Sequence, residues 1–100
     1  MATILSGVVT VATAGGQTQF TKTPTPIRAL WVESDDGNSN PVFIGGFDVS
    51  ATAYGIRLAA AGNNSGWIKF EGQVAGDLSD FWAGVTTNGE KVQFLAITAL

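Results

Sequence analysis

The sequence contains no cysteine and no histidine. Without cysteine the chain can form neither disulfide bonds nor thiolate metal sites, and it has no thiol nucleophile. Without histidine, zinc also loses its other common ligand, and Ser-His-Asp or Cys-His catalytic arrangements cannot be assembled within the chain. These two absences remove most of the familiar routes to hydrolytic and zinc-dependent chemistry.

Charged residues are scarce, at 13% of the chain, where a typical soluble domain carries about 25%. The five basic residues are scattered along the sequence, so they form no cationic stripe that could neutralise phosphate groups. With a net charge of −3, the chain is not expected to bind nucleic acid or an anionic membrane surface. No apolar run approaches the roughly 20 residues that a membrane-spanning helix needs.

The residues that are abundant favour β-structure. A chain of 100 residues is long enough for one domain with a small hydrophobic core, so residues 1–100 are expected to form a single domain. Thirteen glycines and many β-branched and aromatic residues favour turns and strands over helices. The predicted fold class is all-β: a single-domain β-sandwich or jelly-roll-like barrel of about seven to eight short antiparallel strands.

Short apolar runs bounded by turn residues mark the predicted strands. The first run leads into Ala12-Thr13-Ala14, which is similar to a signal-peptidase site. Because no Lys or Arg precedes this run and polar residues interrupt it, the run is expected to be a retained first strand. Asn88-Gly89 predicts a tight hairpin between the last two strands. The predicted strands are residues 4–13, 18–22, 27–34, 41–46, 54–60, 66–72, 78–86 and 91–98.

The third run is apolar on both of its faces. Simple alternation places Ile27, Ala29 and Trp31 on one face of the strand. The opposite face then carries Leu30 and Val32. A strand with two apolar faces indicates either a central position in a sheet or a contact within an oligomer.

The segment 35–40 contains four Asp and Asn residues between two apolar runs, and it is similar to a calcium-binding loop. Counted from Asp36, oxygen-bearing side chains stand at the first, third and fifth positions of an EF-hand-type loop. The sixth position, however, is Pro41 where a glycine is needed, and the twelfth is Phe47 where a glutamate would close the site. Asp, Asn, Gly and Ser are also turn residues. The segment is therefore predicted to be a turn, and no metal ion or cofactor is expected.

Catalysis by carboxylates alone is the remaining enzymatic possibility. Asp77 and Asp80, with Glu90 further on, could be imagined as the acid/base pair of a glycosidase. Such a pair requires carboxyl groups roughly 5 to 10 Å apart across a cleft. Solvated loop carboxylates explain the three residues more simply, so no enzymatic activity is predicted.

Ten aromatic residues are more than a thin sandwich core comfortably holds. If Ile68 and Phe70 face the core, alternation places Trp67 on the opposite face, and Trp82 likewise falls opposite its neighbours Phe81 and Ala83. An exposed Trp typically marks the centre of a protein interface. The alternatives are a sugar-stacking platform, or loops that cover both rings within the monomer. The predicted partner interface consists of Trp67, Trp82, Phe47 and Tyr54.

The order of motifs resembles that of small β-sandwich virion proteins of tailed bacteriophages. In that family an Arg-x-Leu-x-Val strand is followed by Val-x-Val-Gly, by Val-Ser and Gly-Ile-x-Leu, by Asp-Leu-Ser, and by Gly-x-x-Val before a terminal strand. The resemblance covers about residues 18–97, and it departs from the family pattern at "AAAGNNSG", where a glycine- and proline-marked loop is usual. The matching residues are Arg28, Leu30, Val32, Val42, Ile44, Gly45, Val49, Ser50, Gly55, Ile56, Leu58, Asp77, Leu78, Ser79, Gly89 and Val92.

The resemblance implies a structural protein of the virion with no catalytic residues to carry over. On the capsid surface it would be a decoration or cement protein that binds and stabilises the shell of the major capsid protein. It also implies a homo-oligomer, with a trimer preferred over a dimer. An alternative in the same class is a tail, baseplate or fibre-attachment component that binds other virion proteins. From another class, a carbohydrate-binding module uses the same sandwich with exposed Trp.

Overall fold

The computed structural model describes residues 3–59, 65–69 and 76–98, with the backbone alone described for residues 65–69. None of the described residues belongs to a helix long and apolar enough to cross a membrane. Residues Leu78–Asp80 form a 3-10 turn. The strands are β1 Ile4–Val11, β2 Gln17–Gln19, β3 Pro26–Ser34, β4 Val42–Gly45, β5 Ile56–Leu58, β6 Ser65–Lys69, β7 Gly76–Asp77, β8 Trp82–Val85 and β9 Glu90–Thr98.

Two antiparallel sheets form the sandwich. Sheet I has the strand order β1-β9-β3-β6, with the short β7 also paired to β3, and sheet II has the order β2-β8-β4-β5. Apart from β7, the chain folds as one long hairpin that pairs β1 with β9, β2 with β8, β3 with β6 and β4 with β5. Successive pairs alternate between the two sheets, which is the connectivity of a jelly roll. The predicted all-β sandwich is confirmed.

Aliphatic side chains fill most of the space between the sheets, and they alternate along each strand as a period of two requires. At one part of the core three aromatic rings meet. The ring of Phe20 lies 5.4 Å from that of Phe94 and 6.4 Å from that of Phe81, measured between centroids. Gly7 faces this cluster, because a Cβ atom there would lie 2.9 Å from the Phe94 ring. The missing side chain lets Phe94 lie across β1.

β3 occupies the centre of sheet I between β9 and β6, as its two apolar faces indicated. Its register against β9 shifts between Ile27 and Ala29, which marks a β-bulge. The extra residue, Arg28, is exposed, and Ile27 turns into the core beside Leu30. The prediction that Ile27 shares a face with Ala29 and Trp31 is therefore wrong, because simple alternation does not hold across the bulge.

The predicted Asn88-Gly89 hairpin is also wrong. β8 belongs to sheet II and β9 to sheet I, so the turn carries the chain from one sheet to the other. Gly89 has a φ of +80°, and its amide donates a 2.8 Å hydrogen bond to the carbonyl of Val11. The side chain of Asn88 accepts a 2.6 Å hydrogen bond from the amide of Ala14. Turn residues thus mark a turn correctly without showing which strands it joins.

The predicted strand 78–86 begins later than expected. Residues Leu78–Asp80 form the 3-10 turn, and the strand proper is Trp82–Val85. The reason is the preceding Asp77, whose side chain accepts from the amide of Ser79 and so caps the turn.

Candidate interaction surfaces

The Asp- and Asn-rich loop 35–40 is fastened to the start of β9. Asn38 is buried, its Nδ2 donates to the carbonyl of Lys91 at 2.7 Å, and its Oδ1 accepts from the amide of Lys91 at 2.8 Å. The Asn38 side chain thus makes the two hydrogen bonds that a neighbouring strand would make. The carboxylate of Asp35 accepts from the amide of Gly37 at 3.0 Å and from Nε2 of Gln93 at 2.7 Å.

These contacts have an electrostatic consequence for Asp35. The hydrogen bonds from Gln93 and Gly37, with the nearby charge of Lys91, lower the pKa of Asp35 below its ordinary 3.8. The side-chain oxygens of Asp35 and Asn38 are thus engaged by the protein itself. Within the described ranges, no three His, Cys, Asp or Glu residues come together as a possible metal site.

Glu90 is a buried carboxylate at the first position of β9. Its two oxygens lie 3.1 and 3.2 Å from the amide of Ser39, and the Ser39 hydroxyl donates a 3.0 Å hydrogen bond. Asn40, which follows Ser39, donates a 2.7 Å hydrogen bond from its Nδ2 to Oγ1 of Thr87. Glu90 therefore holds the 35–40 loop against the start of β9.

The carboxylate of Asp77 accepts hydrogen bonds near the other end of β9, at Thr98. Its Oδ1 accepts from the amide of Thr25 at 2.9 Å and from the amide and hydroxyl of Ser79 at 2.9 and 2.6 Å. The Ser79 hydroxyl, followed by these two amides, lowers the pKa of Asp77 below its ordinary 3.8.

The two ends of β9 separate these carboxylates. Asp77 pairs with Pro26 beside the Thr98 end of β9, whereas Glu90 opens that strand. A nine-residue strand is about 27 Å long. Asp77 and Glu90 are therefore too far apart for the carboxyl spacing of a glycosidase.

The four residues of the predicted partner interface lie on different sheets. Trp82 is half-buried in β8 of sheet II, and its neighbour Ala83 faces the core as predicted. Phe47 and Tyr54 lie in the connection between β4 and β5, and their side chains are 75% and 46% exposed. Trp67 belongs to β6 of sheet I, and its side chain lies outside the described residues.

The register brings part of this set together. Trp82 pairs with Gly45, two residues before Phe47, and the ring of Tyr54 lies 5.0 Å from that of Phe43. Trp82, Phe47 and Tyr54 are thus all associated with sheet II. In sheet I, the backbone of Trp67 lies directly opposite Trp31 of β3.

The connection 46–55 folds back over the outer face of sheet II. Val49 is buried, and it occupies space left by two glycines: Cβ atoms added at Gly45 and Gly84 would lie 3.1 and 3.4 Å from its methyl groups. Nε2 of Gln17 donates a 2.8 Å hydrogen bond to the carbonyl of Val49. The chain itself therefore covers this side of the sandwich, and the lack of a side chain at Gly45 allows this close packing.

The outer face of sheet I carries a second apolar surface that the sequence reading missed. Cross-strand pairing aligns Ile4 with Ile97 and Ile97 with Ala29, and it aligns Leu95 with Trp31. Ile4 and Val8 are 66% and 51% exposed. We define the apolar face as Ile4, Val8, Ala29, Trp31, Leu95 and Ile97.

Charged residues lie at one end of this surface. Glu33 pairs with Gln93, which is also the partner of Val8, and Lys91 pairs with Thr10 in the next row. Val8 therefore lies where the apolar face meets the charged residues, beyond the rows that contain the isoleucines and Leu95. The signal in the sequence was that β1 and β9, like β3, are apolar at both odd and even positions. Two apolar faces were predicted for β3 alone.

No family model, curated protein or solved structure matches the chain.

Proposed function

We propose that the protein is a structural component of a tailed phage particle, and that it acts as a capsid decoration protein that binds and stabilises the shell of the major capsid protein. The observation that carries this proposal is the apolar face of sheet I. Its exposed members Ile4 and Val8 lie on the outside of a sheet whose other face already contributes to the core.

An outward apolar surface with polar residues at its margin is typical of a protein-binding site. The low charge of the chain fits the same use, because charged residues are depleted at the centres of interfaces. A decoration protein would gain stability from each neighbour it binds, since any ligand of the folded state stabilises that state. A surface that is costly in a free monomer becomes useful in a repeating shell.

Two further features support the proposal. The ordered motif set between residues 18 and 97 resembles that of phage virion proteins. The jelly-roll connectivity is an architecture that viral capsid domains use widely, although a fold alone does not determine function. A homo-oligomer on the capsid surface belongs to the same proposal. The resemblance suggests a trimer, whereas the open edge of β1 favours a dimer in its place.

A carbohydrate-binding module is the second candidate, and one observation favours it. Phe47 and Tyr54 expose their rings in one connection of sheet II, where exposed aromatic faces could stack on sugars. Saturable binding of soluble glycans that is lost in Tyr54→Ala would support this function. Decoration of a capsid predicts no such binding.

To test the decoration proposal, the purified protein is added to phage particles that lack this protein, and the bound copies are counted by cryo-electron microscopy. Ile97→Lys places a charge on the apolar face and should lower occupancy at least tenfold. Thr52→Lys adds the same charge on an exposed loop of sheet II and should leave occupancy unchanged. The melting temperature of each isolated variant verifies that it folds.

Three results would contradict the proposal. Occupancy that is lost with Thr52→Lys and retained with Ile97→Lys would move the contact to sheet II. Density on the tail or baseplate alone would identify a tail component. The absence of binding to any part of the particle would exclude a virion role for this domain.

A further inference from the structure

β1 is an edge strand of sheet I, and among the strands that the structure describes it is hydrogen-bonded to β9 alone. Its eight residues, "ILSGVVTV", contain no charge and no proline, and its register against β9 is continuous. Edge strands usually carry a charge, a proline or a bulge, because an uninterrupted edge pairs readily with another chain. β1 has none of these protections.

The hydrogen bonds at the two ends of β1 show which backbone groups point outward. The carbonyl of Thr3 accepts from the amide of Thr98 at 2.9 Å, and the carbonyl of Val11 accepts from the amide of Gly89 at 2.8 Å. The odd-numbered residues therefore face β9, because the orientation alternates along a strand. The even-numbered residues of β1 direct their amides and carbonyls to the open edge. No hydrogen bond from the described part of the chain reaches those groups.

We propose that this edge pairs antiparallel with the β1 edge of a second copy of the chain, across a two-fold axis beside Gly7. In this register Ile4 lies opposite Thr10, and Ser6 lies opposite Val8, in both directions. Every outward-facing residue of both strands is then used, which gives about eight backbone hydrogen bonds. Sheet I of one copy and sheet I of the other then form one continuous sheet.

Three properties of β1 fit a second copy. A two-fold axis brings identical residues close together, so a charged edge would repel itself, and this edge is uncharged. The register pairs even positions with even positions, so outward side chains of one copy continue the outer face of the other. Ile4 and Val8 then join the two apolar faces across the junction. This dimer forms on the isolated protein and does not depend on the proposed capsid role.

Amide hydrogen exchange of the full chain, measured by NMR at micromolar and millimolar concentrations, tests the pairing. The amides of Ile4, Ser6, Val8 and Thr10 should exchange at least tenfold more slowly at the higher concentration. The amides of Leu5, Gly7 and Val9, which face β9, should be protected equally at both. Sedimentation under the same conditions should show conversion of monomer to dimer.

Val8→Pro and Val8→Thr form a matched pair of variants. Proline removes the outward amide, whereas threonine keeps it together with the branched side chain. We expect Val8→Pro to weaken dimerisation at least tenfold and Val8→Thr to leave it within about threefold. If Val8→Pro does not fold, Val8→Lys replaces it, because two lysines near the axis would repel each other.

A protein that stays monomeric at millimolar concentration would overturn the proposal. A trimer would do so as well, since this edge pairs only two copies. An oligomer in which the four outward amides still exchange rapidly would show that another surface, such as the apolar face, forms the contact. If these amides become protected only when phage particles are added, a segment of another protein is the strand that pairs with β1.

Discussion

Ser34 is buried at 1% exposure near the end of β3, and its Oγ has no hydrogen-bond partner in the part of the chain that the structure describes. It pairs with Val92, whose side chain belongs to the core. A buried hydroxyl without a partner loses its hydrogen bonds to water and gains nothing in return.

We therefore expect Ser34→Ala to raise the free energy of unfolding by about 1 kcal/mol, measured by urea denaturation. Ser79→Ala is the control, because the Ser79 hydroxyl donates to Asp77 and its removal should lower stability. A loss of stability in Ser34→Ala would show that the hydroxyl is bonded in solution.

Asp77 makes stability depend on pH. Its pKa in the folded protein lies below the ordinary 3.8, chiefly because of the Ser79 hydroxyl. The unfolded chain thus binds a proton at a higher pH than the folded chain does, so stability rises with pH across this interval. The stabilisation is complete above the unfolded pKa, and it is lost as the pH falls through the folded pKa.

The melting temperature should therefore drop as the pH is lowered below about 4, and Asp77→Asn should flatten part of that dependence. Asp80→Asn removes the same charge from the exposed last residue of the 3-10 turn and serves as the matched control. An unchanged pH profile in Asp77→Asn would contradict the structural role of this carboxylate.

Sequence predicted the character of the 35–40 loop but not its attachment. Asp and Asn between apolar runs indicated a turn, and Asp36 without a closing glutamate argued against a calcium loop. The partner of Asn38 is Lys91, fifty-three residues away. Hydrogen bonds across such a separation depend on the completed fold, so local patterns cannot reveal them.

Among the elements, strands were predictable because a period of two is a local property. The failures occurred where that period breaks. Arg28 enters a bulge that reverses the phase of Ile27, and Asp77 caps a turn inside a predicted strand. Pairing partners were not predictable, as the Asn88-Gly89 turn between different sheets shows.

The 46–55 connection depends on one anchor. Val49 packs against the positions of Gly45 and Gly84, and it is the buried member of a connection that exposes Phe47 and Tyr54. We expect Val49→Ala to lower the free energy of unfolding by about 1 to 3 kcal/mol, because it leaves a cavity beneath the connection. Limited proteolysis should then cut this segment faster.

Phe47→Ala provides the control within the same connection. It removes a larger side chain, but that side chain is 75% exposed, so stability should change by less than about 0.5 kcal/mol. If Phe47→Ala destabilised the protein as much as Val49→Ala, the anchor would not be specific to Val49.

The whole molecule is asymmetric in how its two sheets meet their surroundings. The 46–55 connection covers part of the outer face of sheet II through Val49, whereas Ile4 and Val8 remain exposed on sheet I. The surplus of aromatic residues predicted an interface that includes Trp82 and Phe47. The apolar face is aliphatic at its exposed positions and comes from three strands distant in sequence. Apolar residues at both odd and even positions mark each strand locally, but only the pairing of the strands shows that they form one surface.

The central position of β9 governs how the protein is made. β9 pairs with β1 on one side and with β3 on the other, so residues 4–11 find their partner only after residues 90–98 have been synthesised. Such non-local pairing slows folding, and sheet I cannot be completed before residues 90–98 have been synthesised. Until β9 leaves the ribosome, β1 waits as an unpaired apolar segment, and nascent chains on neighbouring ribosomes are exposed to mutual aggregation during that interval.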